Sequence, residues 1–139
     1  SYGFTVSSTL MSKSGEETSM KRILVVDDAP QIRDGLEQLL AGAGFEVVLA
    51  ADGDDGFELA RDSAFDLIIA DVNMPRVGGI EMLEMIRKDS PNIKTPAFIL
   101  TTESLKKHSE RFRAIGSAIW IVKPYDPGAL ILSITRVLN

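Results

Sequence analysis

The chain has 139 residues, of which 45% are hydrophobic and 25% charged, so it is long enough for one ordinary soluble domain with its own core. The absence of cysteine excludes disulfides, thiolate chemistry and zinc–thiolate sites, and it favours a reducing compartment, which we expect to be the cytoplasm. The net charge of −5 argues against binding to nucleic acid or to an anionic membrane, so the expected partners are proteins.

Residues 1–20 are rich in serine and threonine and lack apolar periodicity. They predict a disordered tail or a remnant of expression, with Met11 or Met20 as the natural start, and they lack the basic start and apolar run of a secretory signal. Further along, the longest apolar stretches are far shorter than the roughly 18 residues that a membrane span requires. We therefore expect one domain, residues 21–139, without a membrane segment.

Five short apolar runs alternate with segments of helical period after the tail. The runs predict five strands, at residues 22–26, 45–50, 66–70, 97–100 and 118–122. Their continuous hydrophobicity is typical of strands that are buried on both faces. Because helices join parallel strands through right-handed crossovers, the predicted fold is α/β, a doubly wound parallel sheet of five strands with five helices.

Boundary residues mark several of the predicted helices. We expect Asp28 to cap the first helix, with Pro30 in its first turn. Ser104 is expected to cap a fourth helix that ends at Gly116. Asp126 is expected to open the fifth helix.

Charged and polar side chains follow the predicted strands at their carboxyl ends. Asp27 and Asp28 follow the first strand, Asp71 the third, Thr101 the fourth and Lys123 the fifth. In a doubly wound sheet, ligands bind outside these ends. Each residue alone is equally explained as a helix cap, a strand residue or a solvated loop residue. Three carboxylates, one hydroxyl and one ammonium at the same edge instead predict a functional site.

This set of groups indicates metal-assisted phosphoryl chemistry. Three carboxylates within about 4 Å of one another would repel by several kcal/mol per pair at an effective dielectric near 20. Lys123 would supply one compensating charge, and Mg²⁺ would supply the rest, since it binds through one or two carboxylates and keeps waters. Metal, ammonium and hydroxyl suit a phosphoryl group. Asp71 is the best candidate nucleophile, and its in-line attack on a phosphodonor would give an acyl phosphate.

Four motifs resemble the response-regulator receiver family of two-component signalling, especially its single-domain, CheY-like chemotaxis type. They are VVDD at residues 25–28, IIADVNMP at 68–75, ILTTES at 99–104 and WIVKPY at 120–125. The intervals of 44 residues from Asp27 to Asp71, 30 from there to Thr101 and 22 from there to Lys123 agree with this family. The resemblance implies a flavodoxin-like fold with strand order 2-1-3-4-5.

The resemblance also implies roles for the acidic residues. Asp71 resembles the phosphorylated aspartate, which is also a metal ligand. Asp28 resembles a direct Mg²⁺ ligand and Asp27 an outer-shell one. Asn73 would offer its backbone carbonyl to the metal.

Other site residues resemble the switching groups of the family. Thr101 matches the hydroxyl that moves toward the phosphoryl group. Lys123 matches the lysine that pairs with it, and its bond to Pro124 matches the family's cis peptide. Trp120 occupies the position of a tyrosine or phenylalanine that swings inward on activation. Because tryptophan is larger and needs more room, the alternative is a static aromatic on an edge strand.

Asn73 and Glu103 occupy positions where the family tunes the lifetime of the phosphoryl group, and the pair resembles the short-lived chemotaxis type. Thr102 replaces the commoner small residue and is expected to hinder access to the phosphoryl group. His108 is the only histidine, and we expect it at the helix surface or the core edge, because no second imidazole or cysteine could complete a transition-metal site with it.

The predicted function is a phosphorylation-dependent switch with no output domain in this chain. It would catalyse only its own phosphorylation and dephosphorylation, within chemotaxis or a phosphorelay. The expected partners are a sensor histidine kinase, a downstream target protein and, as the family allows, a phosphatase. The target would bind the fourth helix, fifth strand and fifth helix, where Tyr125, Ile131 and Leu132 could add an apolar face beside Trp120.

Other functional classes fit these residues less well. The same fold could serve as a constitutive docking module or a phosphate sink. A phosphatase with an aspartyl-phosphate intermediate typically has an acid two residues after the nucleophile, where this chain has Asn73. A flavin or mononucleotide binder would want a phosphate-cradling loop after the first strand, where this chain has two aspartates followed by Ala29 and Pro30.

Overall fold

A five-stranded parallel sheet is the centre of the computed structural model, which describes residues 9–11 and 17–139. Its strands are β1 (Arg22–Val26), β2 (Glu46–Ala50), β3 (Leu67–Ala70), β4 (Ala97–Thr101) and β5 (Ala118–Val122). They lie in the order β2-β1-β3-β4-β5, with every neighbouring pair parallel. This order confirms the predicted doubly wound fold.

Five α-helices cover the sheet. They are α1 (Pro30–Gly42), α2 (Gly53–Asp62), α3 (Gly79–Lys88), α4 (Ser109–Ile115) and α5 (Pro127–Leu138). Buried residues of α1 and α5 form one apolar cluster, and buried residues of α2, α3 and α4 form another. Because successive strand side chains point to opposite faces, β1 gives Ile23 and Val25 to the first cluster and Leu24 and Val26 to the second.

The edge strand β5 is less buried than its hydrophobic sequence predicts. Ile119 is 43% exposed and Val122 is 52% exposed. On α5, Leu132 is 49% exposed. By contrast, Tyr125 and Ile131, which were expected on the same apolar face, are partly buried against the α1–α5 cluster. Of the predicted apolar face only Leu132 is exposed, and the other exposed apolar residues of this region, Ile119 and Val122, were not predicted.

Two helix starts differ from the prediction. The residue that caps α1 is Ala29, not Asp28, because Pro30 is itself the first helical residue, a position that suits its fixed φ and missing N–H. The Ala29 N–H donates to Asp27 Oδ1 at 2.9 Å. Ser104 caps only a short 3₁₀ turn, Leu105–Lys107, and α4 begins after it. At the junction His108 has φ −127° and ψ 11°, which is not a helical backbone conformation.

The predicted disordered tail lies partly outside the described residues, which omit 1–8 and 12–16. Within the tail, Thr9–Met11 and Glu17–Ser19 form a two-stranded antiparallel sheet, which differs from the disorder expected there. For the remaining tail residues the disorder stays a prediction. In the part of the chain that the structure describes, no helix has the length and apolarity needed to cross a membrane.

Candidate functional site

The centre of the site is an ion-paired trio at the carboxyl edge of the sheet. Asp27 follows β1 and Asp71 follows β3, and these two strands are neighbours in the sheet. Lys123 Nζ lies 3.0 Å from Asp27 Oδ2 and 3.0 Å from Asp71 Oδ2. Asp27 is only 2% exposed, so its carboxylate depends on this ammonium and on the Ala29 N–H for compensation.

Asp28 completes a cluster of three carboxylates. Oxygen atoms of Asp27, Asp28 and Asp71 lie within 4.8 Å of one another. The first is buried, the third is half-buried and Asp28 is exposed, so the cluster opens to solvent on one side. An all-oxygen donor set with an open side suits a hard divalent cation that keeps part of its hydration shell.

The charge state of Lys123 follows from two opposed effects. Partial burial favours the neutral amine, but hydrogen bonds and Coulombic attraction to Asp27 and Asp71 outweigh it and raise the pKa of Lys123 above its ordinary value. The side chain is therefore a cation across the neutral range. One positive charge against three carboxylates still leaves the cluster with an excess of negative charge.

Thr101 lies at the end of β4 and is fully buried. Its Oγ1 accepts a hydrogen bond of 3.2 Å from the Glu103 N–H, and its carbonyl accepts one of 2.7 Å from the Lys123 N–H. The hydroxyl is thus fixed at the same sheet edge as the lysine. Its neighbour Thr102 is exposed.

Asn73 and Glu103, which come from different loops, are joined directly. The Asn73 N–H donates to Asp71 Oδ1 at 3.3 Å, and the Asn73 side-chain amide donates to Glu103 Oε2. His108 Nε2 lies 2.8 Å from Glu103 Oε1 and donates to it, since an ionised carboxylate only accepts. These two hydrogen bonds, that from His108 first, lower the pKa of Glu103 below its usual range.

Trp120 is packed beside this pair and is partly buried against the α2–α3–α4 cluster. Its indole N–H donates to the Glu103 backbone carbonyl at 3.0 Å. The His108 ring stacks on the indole with centroids 5.6 Å apart and an interplanar angle of 26°, and Phe112 contacts it edge-on at 5.5 Å. The indole is thus fixed by one hydrogen bond and two ring contacts.

The loop after Asp71 is held by close backbone contacts. A Cβ atom at Gly79 would lie 2.0 Å from the Asp71 carbonyl oxygen, and one at Gly53 would lie 2.2 Å from the Val77 carbonyl oxygen. Arg76 has a positive φ of 64° and forms ion pairs with two aspartates at the start of α2. The loop is therefore fastened to both α3 and α2.

The structure brings the five residues predicted at the strand ends to one edge, and the Lys123–Pro124 peptide is cis. Sequence reasoning missed the contacts of His108, which was expected to serve only as surface or core edge. The only sequence signal for that contact is the spacing of five residues between Glu103 and His108. On a continuous helix, side chains three or four residues apart are neighbours, so the spacing alone does not predict the contact.

The doubly wound sheet, with an acidic cluster and a lysine at its carboxyl edge, defines a CheY-like α/β domain. The chain belongs to the response regulator receiver domain family, whose model matches residues 23–135. It is 32% identical over 119 residues to the protein PilH of Pseudomonas aeruginosa, covering 86% of this chain and 98% of PilH. It is 33% identical over 113 residues to the transcriptional regulatory protein DltR of Streptococcus agalactiae, covering 81% of this chain but only 50% of DltR.

Solved structures resemble the chain over most of its length. The chemotaxis protein CheY4 of Vibrio cholerae is 39% identical, with a TM-score of 0.81 over 86% of this chain and 100% of CheY4. The receiver domain of the sensor histidine kinase PA1611 from Pseudomonas aeruginosa is 26% identical, with a TM-score of 0.78 over 86% of this chain and 98% of that domain. In the PA1611 structure a magnesium ion is coordinated in the active-site cleft.

Proposed function

We propose that this chain is a phosphorylation-dependent switch in which Asp71 accepts a phosphoryl group from a sensor histidine kinase. The observation that carries the proposal is the position of Lys123 Nζ, 3.0 Å from both Asp27 and Asp71, at the edge where three carboxylates converge. A partly buried ammonium next to a partly buried carboxylate is suited to neutralise a phosphoryl oxygen once that carboxylate is modified.

Asp28, Asp71 and the Asn73 backbone carbonyl would bind Mg²⁺ directly, with Asp27 in its outer shell. The all-oxygen cluster and the magnesium in the cleft of the PA1611 receiver support this assignment. Bound Mg²⁺ would neutralise phosphoryl oxygens and reduce the repulsion among the carboxylates.

In the transfer step, an Asp71 carboxylate oxygen attacks the phosphorus of the kinase's phosphorylated histidine, in line with its P–N bond. The new O–P bond forms an acyl phosphate as the P–N bond breaks, and the departing imidazole takes a proton from solvent. Lys123 then moves its ion pair from the Asp71 carboxylate to a phosphoryl oxygen. The chain would catalyse only this step and the later hydrolysis, so it is not an enzyme with a separate substrate.

Thr101 and Trp120 would carry the signal away from Asp71. The Thr101 hydroxyl would shift toward the phosphoryl group. Because the Glu103 N–H donates to that hydroxyl and the Glu103 carbonyl accepts from the Trp120 indole, Glu103 and the indole would move with it. The phosphorylated state would bind a downstream target more tightly at the surface formed by α4, β5 and α5, where Ile119 and Val122 are exposed. A phosphatase is a further expected partner, and the cytoplasm the expected location.

Similarity to CheY4 and PilH supports a single-domain regulator of the chemotaxis type. We propose that Asn73 and Glu103 tune its acyl phosphate to a short lifetime. A phosphorylated half-life of hours at neutral pH would contradict this lifetime.

Intact mass after incubation with Mg²⁺ and a small phosphodonor tests the proposal. We expect the parent and the control Asp34→Asn, an exposed aspartate on α1, to gain one phosphoryl group, and Asp71→Asn to gain none. Uptake by Asp71→Asn, or none by the parent, would refute the assignment. If target binding is the same with and without the phosphoryl group, the chain is a docking module or phosphate sink instead.

A further inference from the structure

The Glu103 side chain is held between two partners that come from different parts of the fold. One carboxylate oxygen accepts from the Asn73 amide, and the other accepts from His108 Nε2 at 2.8 Å. Asn73 is in turn bonded through its own N–H to Asp71 Oδ1. A continuous chain of hydrogen bonds thus runs from the candidate phosphoacceptor to His108, through a carboxylate that is about one-quarter exposed.

We propose that His108 is a positioning residue that sets the rate at which the Asp71 acyl phosphate is hydrolysed. The inference rests on the proposed function and deepens it, because it assigns a role to a side chain outside the acidic cluster. His108 fixes one oxygen of Glu103, and this fixes the rotamer of a carboxylate whose other oxygen is bonded to Asn73, two residues after Asp71. A fixed carboxylate and amide can orient the water that attacks phosphorus, whereas a mobile glutamate cannot.

The local backbone supports a specific role for the ring. His108 lies at the break between the 3₁₀ turn and α4, with φ −127° and ψ 11°, so its side chain leaves the helix surface and turns toward Glu103. The interruption places the imidazole within hydrogen-bond distance of a carboxylate five residues earlier.

His108 also joins this carboxylate to Trp120. The imidazole stacks on the indole at 5.6 Å, while the indole N–H is bonded to the Glu103 carbonyl. Glu103 and Trp120 are therefore connected twice, once through a backbone carbonyl and once through the His108 ring. Through this second connection, any displacement of the indole also changes the support of the Glu103 carboxylate.

Two substitutions separate the hydrogen bond of His108 from its ring stacking. His108→Phe keeps an aromatic ring on Trp120 and loses the N–H, whereas His108→Gln keeps an N–H donor for Glu103 and loses the ring. Each protein is loaded with a small phosphodonor and Mg²⁺, the donor is removed by desalting, and the loss of the phosphoryl group is followed by intact mass. Emission of Trp120, the only tryptophan, is recorded in parallel.

We expect His108→Phe to slow hydrolysis by about three- to tenfold, which is the range for losing one hydrogen bond of ordinary net strength. His108→Gln should hydrolyse within about twofold of the parent rate, although the altered stack changes its Trp120 emission. In a Glu103→Ala background, His108→Phe should have no further effect, because the two residues act as a unit.

Equal rates for the parent and His108→Phe, or equal slowing by Phe and Gln, would overturn the inference. If His108→Phe does not fold, His108→Leu replaces it, and the Glu103→Ala background gives the same test. A parent that takes up no phosphoryl group overturns the proposed function and the inference together. Uptake followed by hydrolysis that is independent of His108 overturns the inference alone.

Discussion

At the scale of single residues, the site combines one cation with three carboxylates. Lys123 pairs with Asp27 and Asp71 at 3.0 Å each, while Asp28 belongs to the same cluster but is exposed. The ion-paired aspartates are stabilised by the lysine, and the third carboxylate adds repulsion. Asp28 should therefore lower the free energy of unfolding when no divalent cation is bound and raise it when one binds.

Asp28→Asn should raise the free energy of unfolding by about 1 kcal/mol in EDTA, the Coulomb energy of one like-charge pair about 4 Å apart in water. The same variant should lose most of the stabilisation that millimolar Mg²⁺ gives the parent, because it lacks one of the three carboxylates. Urea unfolding with and without Mg²⁺ measures both effects.

Asp34→Asn is the matched control, since Asp34 is an exposed aspartate on α1 outside the cluster. It should leave the Mg²⁺ effect unchanged. An Asp28→Asn protein that is less stable than the parent in EDTA would contradict the repulsion argument.

The raised pKa of Lys123 makes a prediction about alkaline pH. A lysine whose pKa is higher in the folded state contributes stability that is complete below its unfolded pKa of about 10.4 and is lost as the pH rises through the folded value. The difference in unfolding free energy between the parent and Lys123→Gln should therefore be constant from pH 8 to about 10 and shrink above it. Lys106→Gln, which changes an exposed lysine, should show no such change.

At the scale of elements, the site depends on how tightly the β3–α3 loop packs on its neighbours. α3 begins at Gly79, where a side chain would meet the Asp71 carbonyl oxygen at 2.0 Å. The obstructing atom is backbone, so it cannot move aside as the end of a flexible side chain would. The close approach of α3 to the end of β3 therefore requires glycine at this position.

Gly79→Ala should lower the free energy of unfolding by about 1–3 kcal/mol, the usual cost of overpacking, and should also slow phosphorylation because Asp71 must shift. Chemical denaturation and the intact-mass assay report the two effects. Gly42→Ala, at the end of α1, is the control: a Cβ there meets no described atom within 4 Å, so it should be neutral or stabilising by up to about 1 kcal/mol. A Gly79→Ala protein as stable as the parent would show that the loop can relax.

At the scale of the whole molecule, the sheet separates two apolar clusters that share its strands. Leu36 of α1 lies in one cluster, whereas Trp120 packs against the other. Because β1, β3 and β4 contribute to both clusters, neither layer keeps its packing when the other is lost. The domain should consequently unfold as one cooperative unit.

Leu36→Ala should destabilise the chain by about 2–5 kcal/mol, because it leaves a cavity at a side chain that is 1% exposed. Trp120 fluorescence and far-ultraviolet circular dichroism should report the same shifted midpoint, although the substitution lies across the sheet from the indole. Leu132→Ala, the same change at a half-exposed position, should stay within about 0.5 kcal/mol. Separate midpoints for the two probes would contradict cooperative unfolding.

The sheet and the five strand-end residues could be predicted because they follow from local patterns. An apolar run followed by an aspartate specifies both a buried strand and the edge at which its carboxylate emerges. The start of α1 could not be predicted in this way, since Asp28 and Ala29 both precede Pro30 and the folded chain decides which aspartate accepts from the Ala29 N–H. The break at His108 depends on a contact with Glu103, which is itself fixed by Asn73, 30 residues away in sequence.

Arg76 has a consequence for ionic strength. Its backbone has φ 64°, a conformation that glycine or asparagine adopts more readily than arginine. Ion pairs of 3.1 Å to Asp52 and Asp54 stabilise it in this conformation. Both bridges are exposed, so salt weakens them while the backbone preference is unchanged. High salt should therefore loosen the segment that carries Asn73, so that an arginine outside the acidic cluster makes the surroundings of Asp71 sensitive to salinity.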